Sequence, residues 1–291
     1  MLEDKKFFSP AKINLFLEVF SKRKDNYHEI NSLICFCNIG DFIKIKKSKK
    51  LELEVSGEFS SYLQNNKNII IKTHQILKHY FKIQDFHIFL EKNLPVASGI
   101  GGGSSNAATY FRIVEKYFNL KIEDHLKIKI LLEIGSDVPV CYYQNLSLVS
   151  GLGEKITFLP PILDTHILLV NPMIEVSTKF VFSCLEHFSK NKTIFKNYNL
   201  KKIEIFEKVI KTQNDLELIA IKKFSEISMV INTIREHSNP ILVRMSGSGA
   251  TCFALFNSEK ELNEAYRNIS KNKEKWWIKR GKILNNNRYI N

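Results

Sequence analysis

The sequence predicts an α+β fold built in two parts. Three observations carry this reading. The first ninety residues read as a run of strands, a single helix and a further strand. The pair Pro160-Pro161, which stops helix and sheet ladders alike, marks a boundary between residues 1–159 and 160–291. Beyond the prolines the pattern reads β-α-α-α-β-β-α-β, with no internal repeat.

The elements follow in order. Residues 11–20 alternate well enough for a strand, and residues 21–26 form a polar turn. Residues 27–38, 41–47 and 51–55 read as three further strands. Residues 68–81 carry Ile69, Ile71, Ile76, Leu77 and Tyr80 at amphipathic helical spacing. A strand over 86–90 leads into a glycine-rich loop and its helix, and a second helix over 122–134 ends at Gly135. Short strands are predicted over 138–143, 146–149 and 155–159. The second part has a strand over 166–170, a helix from about Thr178 to Phe188, a polar Lys/Asn segment, helices between 200 and 234, strands over 241–244 and 251–256, a helix to about Ile269 and a last strand near 276–279.

The glycine-rich loop is the most informative stretch. Residues 95–108 read P-V-A-S-G-I-G-G-G-S-S-N-A-A. Glycines here let the backbone approach a ligand and take positive φ. A loop opening into a helix aims unpaired N–H groups and the positive dipole end at one point, which favours phosphate over a merely flexible connection. Two familiar motifs do not fit. Gly103 is followed by Ser104 and Ser105 instead of Lys-Ser/Thr, and Ser104 stands where a dinucleotide fingerprint closes with a small apolar or glycine residue.

Composition narrows the class. Hydrophobic residues make up 44% of the 291, including 21 phenylalanines, which is ample for a core. The longest apolar runs are strand-sized, so no membrane partner is expected. The first residues carry Glu3 and Asp4 and no apolar stretch of signal-peptide length, so a cytoplasmic location is the expectation. The five cysteines show no C-x-x-C spacing, and no histidines form H-E-x-x-H; reduced core thiols are expected and a structural metal is not. The net charge of +13 admits a nucleic-acid partner. The lysine-rich runs over 44–50 and 271–279 lie outside any recognised nucleic-acid module, however, and read as solvated surface that also gathers phosphorylated small molecules.

Four further groups bear on chemistry. Lys12 and Asn14, two apart on the first strand, share a face, either as solvated surface or as part of a site. Tyr27 and His28 follow the turn at Asn26, a residue that tolerates positive φ, and by themselves read first as a decorated hairpin. Asp137 lies between a helix-stopping glycine and Val138, which Pro139 is expected to hold extended. It reads as a capping residue, or as a general base at the end of an apolar strand. Residues 244–251, with Ser246, Gly247, Ser248 and Gly249, form a second glycine turn, a hairpin or a cover over phosphate.

Together these residues resemble the GHMP kinase superfamily, named for galactokinase, homoserine kinase, mevalonate kinase and phosphomevalonate kinase. Its three motifs match Pro10-Ala11-Lys12-Ile13-Asn14, residues 95–108 and residues 245–251 in order. Ser9-Pro10-Ala11-Lys12-Ile13-Asn14-Leu15, Tyr27-His28 and Gly135-Ser136-Asp137-Val138-Pro139 are similar to the branch acting on 4-diphosphocytidyl-2-C-methyl-D-erythritol in the non-mevalonate isoprenoid route. The resemblance implies a ribosomal-S5-domain-2-like N-terminal domain, a ferredoxin-like C-terminal domain and a site between them. It implies ATP with Mg²⁺ as donor, held by Pro95, Val96, Ala97, Ser98, Gly99, Ile100, Gly101, Gly102, Gly103, Ser104, Ser105 and Asn106. Asp137 would take the proton of the acceptor 2-hydroxyl, with Lys12 beside it. Asn14 would position the acceptor, Tyr27 and His28 would recognise cytosine, and Phe182 would stack on it near Thr178. The family often has glycine at positions 97, 98 and 26, where this chain has Ala, Ser and Asn. The implied partner is a small cytidine diphosphate, without nucleic acid or membrane, and the protein a monomer or weak homodimer. Another small-molecule kinase of the homoserine or mevalonate type is the nearest alternative. A non-catalytic S5-like RNA-binding protein is a more distant one, since RNA binding has no use for a lone carboxylate at position 137.

Overall fold

The computed structural model describes residues 5–24, 27–63, 68–195, 201–271 and 275–285. The Asn26 turn lies outside them. The long strands β1 (Phe7–Lys22) and β2 (His28–Lys47) pair antiparallel and form the spine of a six-stranded sheet. The other edge of β2 is shared. Residues 42–47 pair with β4 (Phe86–Glu91), and residues 30–34 pair with β5 (Ser147–Gly151). The outer strands are β3 (Glu52–Ser56), parallel to β4, and β6 (Lys155–Phe158), antiparallel to β5. Three register shifts interrupt the β1–β2 ladder, two of them flanking Lys12 and Asn14. Such bulges re-aim side chains beside a site.

The two strands expected over 27–38 and 41–47 are one element. The chain passes through Gly40 without breaking the ladder, because Gly40 pairs with Pro10 and a Cβ there would strike the Ser9 carbonyl. Helices α1 (Ile69–Tyr80), α2 (Gly102–Tyr117), α3 (Asp124–Ile134) and α4 (Val138–Tyr143) belong with this sheet. Apolar residues of these helices and of the sheet, among them Phe86, Tyr110 and Phe111, make one buried core. The Asn68 side chain caps α1 by accepting from Ile70 N–H at 2.9 Å.

One expectation fails here. Residues 138–143 form a helix, not a strand. Pro139 lies in the first turn of α4, where a missing N–H breaks no intrahelical bond and the fixed φ suits the helix. Asp137 is therefore the residue before a short helix, not the end of a strand.

The second sheet is antiparallel, in the order β10-β7-β9-β8, from β7 (His166–Asn171), β8 (Leu242–Met245), β9 (Cys252–Phe256) and β10 (Trp277–Lys282). This is the ferredoxin-like strand order. Between β7 and β8 run α5 (Thr178–Ser183), α6 (Lys202–Ile210), α7 (Glu217–Lys223) and α8 (Ser225–His237), and α9 (Glu259–Ser270) precedes β10. The helix expected to reach Phe188 stops at Ser183. One core holds apolar residues of both sheets, including Ile13, Phe16, Leu169 and Phe253. Another lies between the second sheet and its helices.

Candidate active site

The glycine loop is fixed from below by a buried polar network. Asp41, fully buried, accepts from Asn93 N–H at 2.7 Å and Leu94 N–H at 2.8 Å through one oxygen. Its other oxygen accepts from Lys92 Nζ at 2.7 Å and Asn106 Nδ2 at 2.9 Å. Asn106 Nδ2 also reaches Ser9 Oγ at 2.9 Å, and Ser9 Oγ bonds Ser105 Oγ at 3.0 Å. Burial pushes the Lys92 ammonium below its ordinary pKa, while Asp41 pulls the other way. Buried charges persist only when paired and hydrogen-bonded, and here the pairing stitches β2, the end of β4 and the start of α2 together.

Above this network the loop turns through left-handed backbone. Gly101, before α2, has φ +60°, and a Cβ there would meet the Lys12 Cε at 2.9 Å. The close approach is what brings Lys12 beneath the loop, with its N–H donating to Ile100 O at 2.9 Å. Ala97 has φ +50°, a left-handed conformation uncommon for a residue with a Cβ.

Lys12 Nζ lies 2.9 Å from Asn14 Oδ1 and 3.1 Å from Asp137 Oδ2. Lys12 is 4% exposed, so neither it nor Asn14 is solvated surface. The Asn14 amide is oriented by donating to Ser32 Oγ at 2.8 Å. Asp137 makes no side-chain cap to α4; its carboxylate turns to Lys12 and is 42% exposed to the cavity. Asp137 is thus not the capping residue that its sequence position also allowed.

The third motif closes on the second. Ser246 Oγ donates to Gly99 O at 3.0 Å and accepts from Asn14 N–H at 3.2 Å. Thr251 N–H donates to Ser98 O at 3.1 Å. Ser248 Oγ and Thr178 Oγ1 are 2.8 Å apart, linking the same turn to α5.

A cavity of about 1330 Å³ gathers nearly all of these groups. Its wall includes Lys12, Asn14, Asp137, Gly101, Gly102, Gly103 and Ser104, and also Tyr27, His28, Thr178, Phe182, Gly247 and Ser248. Residues 95–99 and Asn106 line it too. The His28 ring lies 4.8 Å from that of Phe182, tilted by 35°. Burial, and then the charge of Lys22, lower the His28 pKa, favouring the neutral ring.

Four expected contacts are not in this wall. Ile100 is buried in the core between the sheets, and Ser105 is turned by the helical period onto Ser9. Ser246 and Gly249 lie behind the wall, against Gly99. Asn106, although it touches the cavity, spends its amide on Asp41 and Ser9. Sequence reasoning missed Lys92, Asn68, Lys22 and Lys179, which line the cavity, and Asp41 beneath it. The available signal for Asp41 was a carboxylate within an apolar strand run.

Comparison with known proteins identifies the scaffold. Residues 68–145 match the family described as GHMP kinases N terminal domain, and residues 197–275 match GHMP kinases C terminal. The 4-diphosphocytidyl-2-C-methyl-D-erythritol kinase of Sinorhizobium medicae (strain WSM419) is 36% identical over 282 residues, covering 93% of this chain and 92% of the relative. The protein of that name from Chelativorans sp. (strain BNC1) is 34% identical over 274 residues, 93% of each. The chain belongs to the GHMP kinase family. Its fold superposes on a crystal structure of 4-(cytidine 5'-diphospho)-2C-methyl-D-erythritol kinase with a TM-score of 0.74 at 22% identity, covering 96% of this chain and 99% of the other. The homoserine kinase from Cytophaga hutchinsonii gives 0.68 at 16% identity, with 96% and 95% covered. In this GHMP kinase no helix among the described residues is long and apolar enough to cross a membrane.

Proposed function

We infer that this GHMP kinase transfers the γ-phosphoryl group of ATP to the 2-hydroxyl of 4-diphosphocytidyl-2-C-methyl-D-erythritol. The supporting observation is the Lys12–Asp137 pair, 3.1 Å apart, in one cavity with the glycine loop and with Tyr27, His28 and Phe182. The relatives' shared name supplies the acceptor.

Backbone N–H groups at the start of α2 face the phosphates, where the helix dipole favours negative charge. Asp137 accepts the acceptor hydroxyl proton as its oxygen bonds to the γ-phosphorus and the bond to the β-phosphate oxygen breaks, releasing ADP. Lys12, oriented by Asn14, presents its ammonium to the charge that gathers on the transferring oxygens. Tyr27, His28 and Phe182 form the cytosine end; a neutral His28 offers one ring donor and one acceptor. Among the described residues no group of three or more His, Cys, Asp or Glu side chains is placed to hold a metal. A Mg²⁺ arriving on ATP would take most of its ligands from phosphate and water and would neutralise phosphate charge. Ser104 is a cavity-lining hydroxyl available to it. The protein works in the cytoplasm on a small molecule, as a monomer or weak homodimer.

The test is a direct assay with MgATP and three acceptors. Turnover of homoserine or mevalonate, with none of the diphosphocytidyl acceptor, would move the protein to a sibling activity. Asp137→Ala should abolish turnover while leaving ATP binding measurable by calorimetry, and substantial residual activity removes Asp137 from the base role.

A further inference from the structure

The connection between α6 and α7 carries a residue that no catalytic motif includes. Its backbone docks beside β1: Leu17 N–H donates to Gln213 O at 3.1 Å, and Asp215 N–H to Leu17 O at 2.9 Å. Between these bonds lies Asn214, 3% exposed. Its amide nitrogen donates to Met245 O at 2.9 Å and to Gly247 O at 2.8 Å, and its Oδ1 accepts from Leu216 N–H at 3.0 Å. The Asn214 donors thus span the two ends of the Met245-Ser246-Gly247 turn.

That turn sets the distance between the two halves of the site. Its Ser246 hydroxyl bonds both Asn14 N–H and Gly99 O. Gly247 lines the cavity, and a Cβ there would meet Gly99 O at 2.9 Å and Asn14 Oδ1 at 3.2 Å. Asn14 in turn orients Lys12 toward Asp137. We propose that Asn214 is a positioning residue for phosphoryl transfer, fixing the third motif so that the glycine loop and the Lys12–Asp137 pair keep their reactive spacing. It touches neither reactant and acts through Met245 O and Gly247 O. Without its two donors those carbonyls lose partners in a buried place, and the turn is free to drift from Gly99 and Asn14.

The proposal rests on the kinase reading above, and turnover of the diphosphocytidyl acceptor by the unaltered protein tests that reading separately. Asn214→Asp keeps an oxygen for Leu216 N–H but removes both donors. It should fold and lower kcat about 10- to 100-fold, with KM for ATP and for the acceptor changed by less than about threefold, the pattern of lost alignment instead of lost binding. Because both act through one turn, Ser246→Ala should cost less kcat in the Asn214→Asp background than alone. A general weakening of the fold gives additive losses that follow the fraction unfolded. The proposal is overturned if folded Asn214→Asp keeps kcat within about twofold of the unaltered protein, or if the two substitutions add. It is also overturned if neither Asn214→Asp nor Asn214→Ser yields folded protein by circular dichroism, since the residue then serves the fold alone.

Discussion

Gly99 is where the second and third motifs touch, and adding one methyl there measures how tightly they are locked. Its φ of +75° costs a residue with a Cβ roughly 1–2 kcal/mol. The new Cβ would strike the Ser246 carbonyl oxygen and lie 2.8 Å from both Gly249 N and Gly249 O. Ordinary carbon contacts begin near roughly 3.5 Å, so the loops must part by about 1 Å. Overpacking of that kind costs about 1–3 kcal/mol. Reduced freedom of the unfolded chain returns about 0.4–1 kcal/mol, leaving a loss of about 3 kcal/mol. At about 2–4 °C per kcal/mol, Gly99→Ala should melt roughly 6–12 °C lower by scanning calorimetry. The same 1 Å displacement moves the glycine loop relative to Lys12 and Asp137, and kcat at saturating ATP and acceptor should fall about 100-fold. The reasoning fails if Gly99→Ala melts within about 1 °C of the unaltered protein and keeps kcat within about twofold.

Three other substitutions probe the same site. Ala97→Gly removes a Cβ from left-handed backbone at φ +50° and should raise stability or leave it unchanged, by up to about 1 kcal/mol in denaturant titration, because relieved strain is partly offset by unfolded-state entropy. Lys92→Met leaves the fully buried Asp41 carboxylate without its cation and should destabilise by about 3–5 kcal/mol in the same titration, a loss under about 1 kcal/mol showing the pair to be dispensable. His28 has a pKa held below the usual 6.5 by burial and by Lys22, so the acid limb of acceptor kcat/KM should fall below that value. Removing a positive charge eases protonation, so Lys22→Met should move the limb upward. A limb that stays put in Lys22→Met, or one absent in both proteins, would separate His28 from acceptor binding.

Much of the fold was legible because its signals are local. The alternation of β1, the amphipathic spacing of α1 and the glycine turn between β8 and β9 each lie within a few residues. Two misreadings have the same origin. Residues 138–143 hold valines and tyrosines of high strand propensity, but six residues are too few to show a helical period, and Pro139 serves equally in a first helical turn. Residues 27–38 and 41–47 read as two strands because only a neighbour across the ladder, Ser9, explains why Gly40 between them carries no side chain.

The site divides along the same line. By itself the sequence determined which chemical groups are present: a loop able to present N–H groups to phosphate, a lysine and an asparagine on one face, an isolated carboxylate, an aromatic and a histidine after a turn. The family's spacing could be read from those alone. Tertiary structure decided which of them meet. Asp137 and Lys12 are 125 residues apart in sequence and 3.1 Å apart in space, and no local pattern encodes that pairing. It likewise turned Ser105 and Ile100 inward, placed Asp41 under Lys92, and set Asn214 behind the third motif. Each of these depends on burial and long-range hydrogen bonding, in which the partner, not the residue, determines the role.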